Sequence, residues 1–339
     1  MSQDRTLARG ARVFGAVLIA ALALISLGWI IRDFTKANEV TDVWWNWTGL
    51  LARSEDGIWV ASFIEPMLLL LYAVAAVTAV RSSSATGILI GTGVLTVVLR
   101  TPGLWNLNAD WMQGVSDGLM SKVLSSTIAA VAIGAVLIIT AIAGRRPTQP
   151  PPGGYGYGFP PPTDPAEEPP ARPTRSGAIA AFLMLGSGAA VLAAWEIRTW
   201  ERAGWDRYER MLTGERSIIR LLDVPPAWAT WTVVLVALVA AVGALAGAPF
   251  SRPLGLIVAA PLLAFGVSAV AYALKIDMIE HFAEVSIEER LRLLTNVFEV
   301  VVGAAVLLVL ARGERGDPQT VSDYRGRAAA PYAASPPSS

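Results

Sequence analysis

Eight apolar stretches constrain this chain more than any other feature. They run over 12–31, 58–80, 84–100, 122–143, 177–197, 228–248, 254–274 and 293–312. A helix rises about 1.5 Å per residue, so crossing about 30 Å of hydrocarbon takes about 20 apolar residues. The expected fold is an all-α polytopic membrane protein with eight transmembrane helices as two tandem four-helix repeats. Amphipathic helices are expected on the outer loops.

Composition narrows the function classes. The 339 residues are 54% hydrophobic and only 16% charged, with a mean hydropathy of +0.50, whereas a soluble domain carries about a quarter charged residues. Net charge is zero, so there is no electrostatic footprint for nucleic acid. Cysteine is absent and His281 is the single histidine. That removes disulfides, thiol catalysis, thiolate metal sites and His-cluster metal sites. No catalytic motif or nucleotide loop stands out, so no cofactor and no catalytic residue are assigned. Of 27 basic residues only Lys36, Lys122 and Lys275 are lysines; with the abundant Ala, Val, Gly and Pro this resembles a high-GC bacterial composition. The expected location is a bacterial plasma membrane. Arg5, Arg9 and Arg12 precede a run too long for a signal peptide, and Trp29-Ile-Ile-Arg32 lacks a small-x-small cleavage pattern, so the first span is read as retained.

The two halves share a layout. Spans start at 12, 58, 84 and 122, then at 177, 228, 254 and 293, which gives offsets of 165, 170, 170 and 171. Such regularity points to a duplicated four-helix unit over 12–143 and 177–312, with both copies in one orientation. Residues 1–11 form an N-terminal arm. Between the repeats, 144–176 is rich in Pro and Gly and cannot build a core; the tail 313–339 is similar, and both are expected to be disordered. Basic residues number 13 on one side and 14 on the other, so raw counts do not set orientation. The tight flanks do: Arg81 and Arg252 in the short turns, Arg145 and Arg146, Arg312 and Arg315, with the N-terminal arginines, place both termini in the cytoplasm.

Under that topology all twelve tryptophans fall on the outer side. Trp44, Trp45, Trp47, Trp105, Trp111, Trp200 and Trp205 outline an outer aromatic surface. The plain reading is an interfacial belt; the one-sidedness favours a surface for lipid, glycan or a partner. Segments 104–120, 200–222 and 277–294 have helical periodicity, and Ser286 with Glu289 fits a capping box.

Charges inside the spans form the second candidate site. Glu65 sits about seven residues into the second span, Glu299 about six into the eighth. Arg100 and Lys275 end the third and seventh spans, and Glu196 closes the fifth. Buried ionisable groups in a membrane pair or mark a site, and the expected pairs are Glu65 with Arg100 and Glu299 with Lys275. No carboxylate reaches the midplane, which counts against an ion-coupled pump.

Three functions fit these features. The first is a non-enzymatic scaffold or interaction protein of the bacterial envelope, whose partners, besides the lipid bilayer, would bind the outer loops or the Pro-rich cytoplasmic segments. The second is a transporter or lipid-handling protein using the outer-leaflet charges. The third is a membrane enzyme with Glu65, Glu299 or Asp110 as carboxylates.

Overall fold

The computed structural model describes residues 5–50, 52–112, 114–147 and 174–312. Most of the Pro/Gly-rich linker (148–173) and the tail 313–339 lie outside the described residues, as do residues 1–4. The protein is all-helical in architecture. Eight of its helices are long and apolar enough to span a membrane: α1 (Arg9–Lys36), α3 (Ile64–Arg81), α4 (Ala85–Asn106), α5 (Asp117–Ala143), α6 (Arg175–Ala203), α8 (Pro226–Leu245), α9 (Ser251–Lys275) and α10 (Ile287–Arg312). Two short helices, α2 (Val40–Trp47) and α7 (Trp205–Thr213), follow α1 and α6. A three-residue strand β1 (Arg5–Leu7) pairs antiparallel with β2 (Arg145–Pro147), which ties the start of α1 to the end of α5.

Local chemistry sets the helix ends. Pro226 opens α8, where its missing N–H costs nothing. Ser286 and Glu289 form the expected capping box at α10: the Ser286 N–H donates to Glu289 at 2.9 Å, and the Glu289 N–H donates back to Ser286 Oγ at 3.2 Å. Gly214 ends α7 with φ +96°, and a side chain there would collide with Asn106.

Three sequence expectations change. The second span begins later than 58, because α3 starts at Ile64 with Pro66 in its first turn, the place where a helix tolerates proline. Glu65 therefore opens its helix instead of lying two turns inside it. The third span runs on through Pro102 to Asn106. Proline at 102 deprives the Val98 carbonyl of its helical donor, and the Trp228 indole supplies one from α8 at 2.8 Å. Finally, 277–286 is a series of turns, and 107–112 and 114–116 are non-helical, so of these three outer segments only 200–222 contains a surface helix of its own among the described residues.

Both halves pack alike. In the first, α1 lies mainly on α3 and α4 on α5, with lesser α3–α4 and α1–α5 contacts closing the ring; in the second, α6 lies on α8 and α9 on α10, closed by α8–α9 and α6–α10. Matching residues make matching contacts. The Trp29 indole donates to Ser126 Oγ at 3.0 Å, and the Trp195 indole to Thr295 Oγ1 at 2.9 Å. A Cβ on Gly134 would meet Val97, and one on Gly303 would meet Leu263. Ile19 and Leu185 are both wholly buried, as are Leu137 and Val306. The residues of these matching contacts lie 166 apart along α1/α6 and α4/α9 and 169 apart along α5/α10. Between the halves, α4 faces α9. There a Cβ on Gly87 would meet Pro253 and one on Gly91 would meet Ile257, each contact joining residues 166 apart.

Candidate functional site

The first bundle encloses a polar stripe. Glu65 from α3 and Arg100 from α4 form a bidentate pair, with Arg100 Nη1 to Glu65 Oε1 at 2.6 Å and Nη2 to Oε2 at 2.7 Å. Glu65 is fully buried and Arg100 is 4% exposed. Arg100 Nη2 also reaches Ser26 Oγ of α1 at 3.4 Å. Seven residues after Glu65 on the same helix, Tyr72 meets Thr96 through their hydroxyls at 2.9 Å; Thr96 also donates to the Thr92 carbonyl at 2.7 Å. Ser26, Tyr72, Thr92 and Thr96 are all buried. The side chain of Arg100 is neutralised in place, and within this stripe the Arg100 Nε and the Thr92 hydroxyl are buried without a partner among the described residues. Such a buried pair is strong as a unit and costly to break.

The other charged candidates do not join this stripe. Glu299 is buried on α10, where it makes no hydrogen bond or salt bridge among the described residues. Its expected partner Lys275 is exposed and lies over the Trp45 ring at 4.8 Å from the centroid. That pairing is corrected: α9 ends at Lys275 in a turn, and the ammonium goes to the aromatic face of α2. Glu196 is half-buried and accepts from the Tyr208 hydroxyl at 2.9 Å. Asp110 is exposed.

The tryptophans divide into two groups. Trp44, Trp105, Trp200 and Trp205 are exposed, while Trp45, Trp47 and Trp111 are half-buried. Trp200 and Trp205 meet edge-to-face at 5.8 Å and flank Tyr208. Trp47 stands edge-on to Phe34 at 5.9 Å. Several indoles are committed to partners within the protein: Trp105 donates to the Thr213 carbonyl at 2.7 Å, Trp59 to the Ala52 carbonyl at 2.8 Å, and Trp231 to the Tyr208 hydroxyl at 2.6 Å. The Tyr208 hydroxyl is pushed up to about 12, first by burial and also by the Glu196 carboxylate, against the opposing pull of the Trp231 N–H.

Sequence reasoning missed a second buried polar assembly. Asp33, wholly buried at the end of α1, accepts from the Val60 and Ala61 N–H groups at 3.1 and 2.7 Å and from Arg32 at 2.8 Å. The extended 59–60 segment in turn accepts from the Leu221 and Leu222 N–H groups at 3.3 and 3.0 Å. Arg220 enters beside it, donating through Nε to Asn46 Oδ1 at 2.9 Å, to the Asn46 carbonyl and to Asp223 at 3.4 Å. The loop after α7 thus clamps the second half onto the first. Asp33 falls just past the first apolar run and reads as a loop charge. Thr92, Thr96 and Arg100 at four-residue spacing were the available signal for the stripe.

A lateral groove of about 600 Å³ lies between α3 and α9, with apolar walls. No group of three or more potential metal ligands is present among the described residues. The chain has no significant match among protein families, curated proteins or solved structures.

Proposed function

We propose that this integral membrane protein is a non-enzymatic scaffold of a bacterial plasma membrane, with both termini in the cytoplasm. One observation carries the reading: the charges of the first bundle, Glu65 and Arg100, are buried and spend themselves on each other. A transporter needs an ionisable group that faces a water-filled path, and an acid–base enzyme needs a carboxylate within reach of substrate. Glu65 does neither. Glu299 lies in the other half, and no bond joins the two carboxylates. Partners would meet the outer face at Trp44, Trp200 and Trp205, or the Pro-rich cytoplasmic segments.

The reading extends to architecture. The α4–α9 contacts each join a residue to the one 166 positions on, as self-contacts along the seam of a two-fold interface would. A duplicated and fused four-helix unit accounts for them. The β1–β2 pairing supports the orientation by holding the N-terminal arm and residues 145–147 at one end of the bundle, beside the basic flanks.

The test replaces the pair as a unit. A Glu65→Leu, Arg100→Met variant that inserts and folds is expected to support its host as the native chain does. Loss of the cellular role in a folded variant sinks the scaffold reading and makes the pair a working site. Reporter fusions after Arg146 and Ser339 check orientation; both are expected to report cytoplasm.

A further inference from the structure

We propose that the buried Arg12 guanidinium and the first turn of α4 bind one phosphate group, at the end of the first bundle where α1 and α4 begin. Arg12 lies on the inner stripe of α1, with Gly15, Ile19, Leu22 and Ser26, and is 2% exposed. Its Nε and Nη1 are shut from solvent without a hydrogen-bond partner among the described residues. The stripe's own carboxylate is out of reach: Arg12 stands about 21 Å along α1 from Ser26, where the Arg100–Glu65 pair touches that helix. Arginine is almost never fully buried unless it is paired, and a lone buried charge is costly. The guanidinium therefore calls for an anion that the described side chains do not supply.

Everything else at this end favours negative charge. The β1–β2 ribbon holds the start of α1 beside the end of α5, and the short turn after Arg81 starts α4 at the same end. A Cβ on Gly15 would meet Leu89, so one turn towards the start of each helix Arg12 stands level with Ala85 and Thr86, in the first turn of α4. Helical side chains lean towards the start of their helix, which aims the guanidinium at that turn. Neither α1 nor α4 has a side-chain cap or an acidic residue in its first turn, so both present uncompensated N–H groups here. Residues 9–16, 76–90 and 138–147, which make up this end, contain five arginines and no carboxylate.

The second half lacks the feature. At the place of Arg12, 166 residues on, stands the buried Ala178, and the start of α6 is capped by Thr174, whose hydroxyl accepts from the Gly177 N–H at 3.2 Å. The fold does not need an arginine there, which leaves the charge for a ligand. The donors choose its class. A guanidinium offers a planar fork to two oxygens, and the α4 turn offers N–H groups to others. The two oxygens of a carboxylate are used up by the fork; a tetrahedral phosphate has oxygens for both, and up to two charges. A lipid headgroup and a soluble phosphate share this chemistry. The compartment that supplies it follows from the orientation proposed above; the site itself does not.

Thermal unfolding of the full chain in nonionic detergent tests the site. Sodium chloride, acetate and phosphate are compared at equal ionic strength, and phosphatidic acid is added to the micelles in a separate series. Phosphate also stabilises proteins by exclusion from their surface, so the readout is the native chain against Arg12→Met. In chloride, Arg12→Met is expected to melt higher than the native chain, because it removes an unpaired buried charge. With phosphate at about 100 times its dissociation constant, the native midpoint is expected to rise by about 5 °C more than that of the variant. Arg12→Lys keeps the charge without the fork and is expected to bind phosphate about tenfold more weakly, the loss of one charge-assisted hydrogen bond. A response to inorganic phosphate identifies a soluble ligand; a response to phosphatidic acid alone identifies a lipid headgroup. A lower midpoint for Arg12→Met in chloride overturns the proposal, since the guanidinium would then already have its partner in the chain. So does a phosphate response that Arg12→Met keeps, an equal response to acetate, or no response to either phosphate source.

Discussion

The first half carries its polarity inside, and the second half carries little there. At the places where the first bundle holds Ser26, Glu65, Tyr72, Thr92, Thr96 and Arg100, the second holds Leu192, Thr230, Ala237, Val258, Leu262 and Gly266. In the opposite sense, Glu299 occupies the position of the buried Ala130. One helical frame thus accommodates both a fully paired charge stripe and an almost wholly apolar packing. The ring of helix contacts does not depend on the ion pair. It depends on small residues at close approaches and on indole–hydroxyl bonds, which both halves keep.

The largest expected effect breaks the comparison at its centre. Glu65→Gln or Arg100→Gln alone leaves a charge buried without its partner and is expected to cost about 3–5 kcal/mol. Replacing both with apolar residues brings the first half towards the second and is expected to be neutral or stabilising by about 1–4 kcal/mol. Unfolding of the purified variants in detergent measures all three. Single losses that simply add in a double glutamine variant would mean that the two residues do not act as a pair.

The next test asks whether the halves share one frame. Gly134→Val and Gly303→Val push against Val97 and Leu263 at matching places. Each is expected to destabilise by about 1–3 kcal/mol through overpacking. Gly303 faces Leu263 backbone atoms at 2.8 and 2.9 Å, while Gly134 meets the Val97 side chain at 2.9 Å and the Gly93 carbonyl at 3.0 Å, so the second-half change is expected to be slightly the larger. A large loss at one glycine with none at the other would deny the correspondence.

A finer comparison removes one indole N–H from each half. Trp29→Phe and Trp195→Phe each delete a bond to a hydroxyl on the fourth helix of the unit. Each is expected to cost about 1 kcal/mol beyond the change in ring volume, and similarly in both. Ser126→Ala and Thr295→Ala, measured in the same series, separate the hydrogen bond from the packing: either double variant should cost less than its two singles together.

Much of this frame was legible in the chain. Apolar length gave the eight spans, because a bilayer imposes one length on every crossing helix. The Glu65–Arg100 pair followed from depth and from the tight turn between α3 and α4. Other features escaped because they depend on where distant loops land. Asp33 looks like a loop carboxylate until residues 60 and 61 present their N–H groups to it. Arg220 lies 174 residues from Asn46, and nothing local in its segment announces the partner. Shared depth and the medium loop between their helices pair Lys275 with Glu299 in the sequence; a cation at a helix end can swing to an aromatic ring, and here it does. The Val98 carbonyl freed by Pro102 was a readable vacancy, but its donor, Trp228, comes from the other half.

The smallest expected effect lies on the outer rim of the second half, where Trp231, Tyr208 and Glu196 form a hydrogen-bonded chain. Tyr208 has its pKa raised from 10.0 to about 12, chiefly by burial. A raised acid pKa in the folded state means that folding holds the proton more tightly than the unfolded chain does. The stability this contributes is fully present below pH 10 and is lost as pH rises through about 12. In that window the native protein is expected to lose thermal stability more steeply than Tyr208→Phe, which has no proton to give up. Below it, Tyr208→Phe is expected to be less stable by about 1 kcal/mol, since the Glu196 carboxylate loses a donor and the Trp231 indole an acceptor. Parallel melting curves from pH 8 to 12 decide the matter. Identical slopes for the two proteins would mean that the Tyr208 hydroxyl titrates as it does in water, and that the second half's outer chain opens to solvent before the bundle melts.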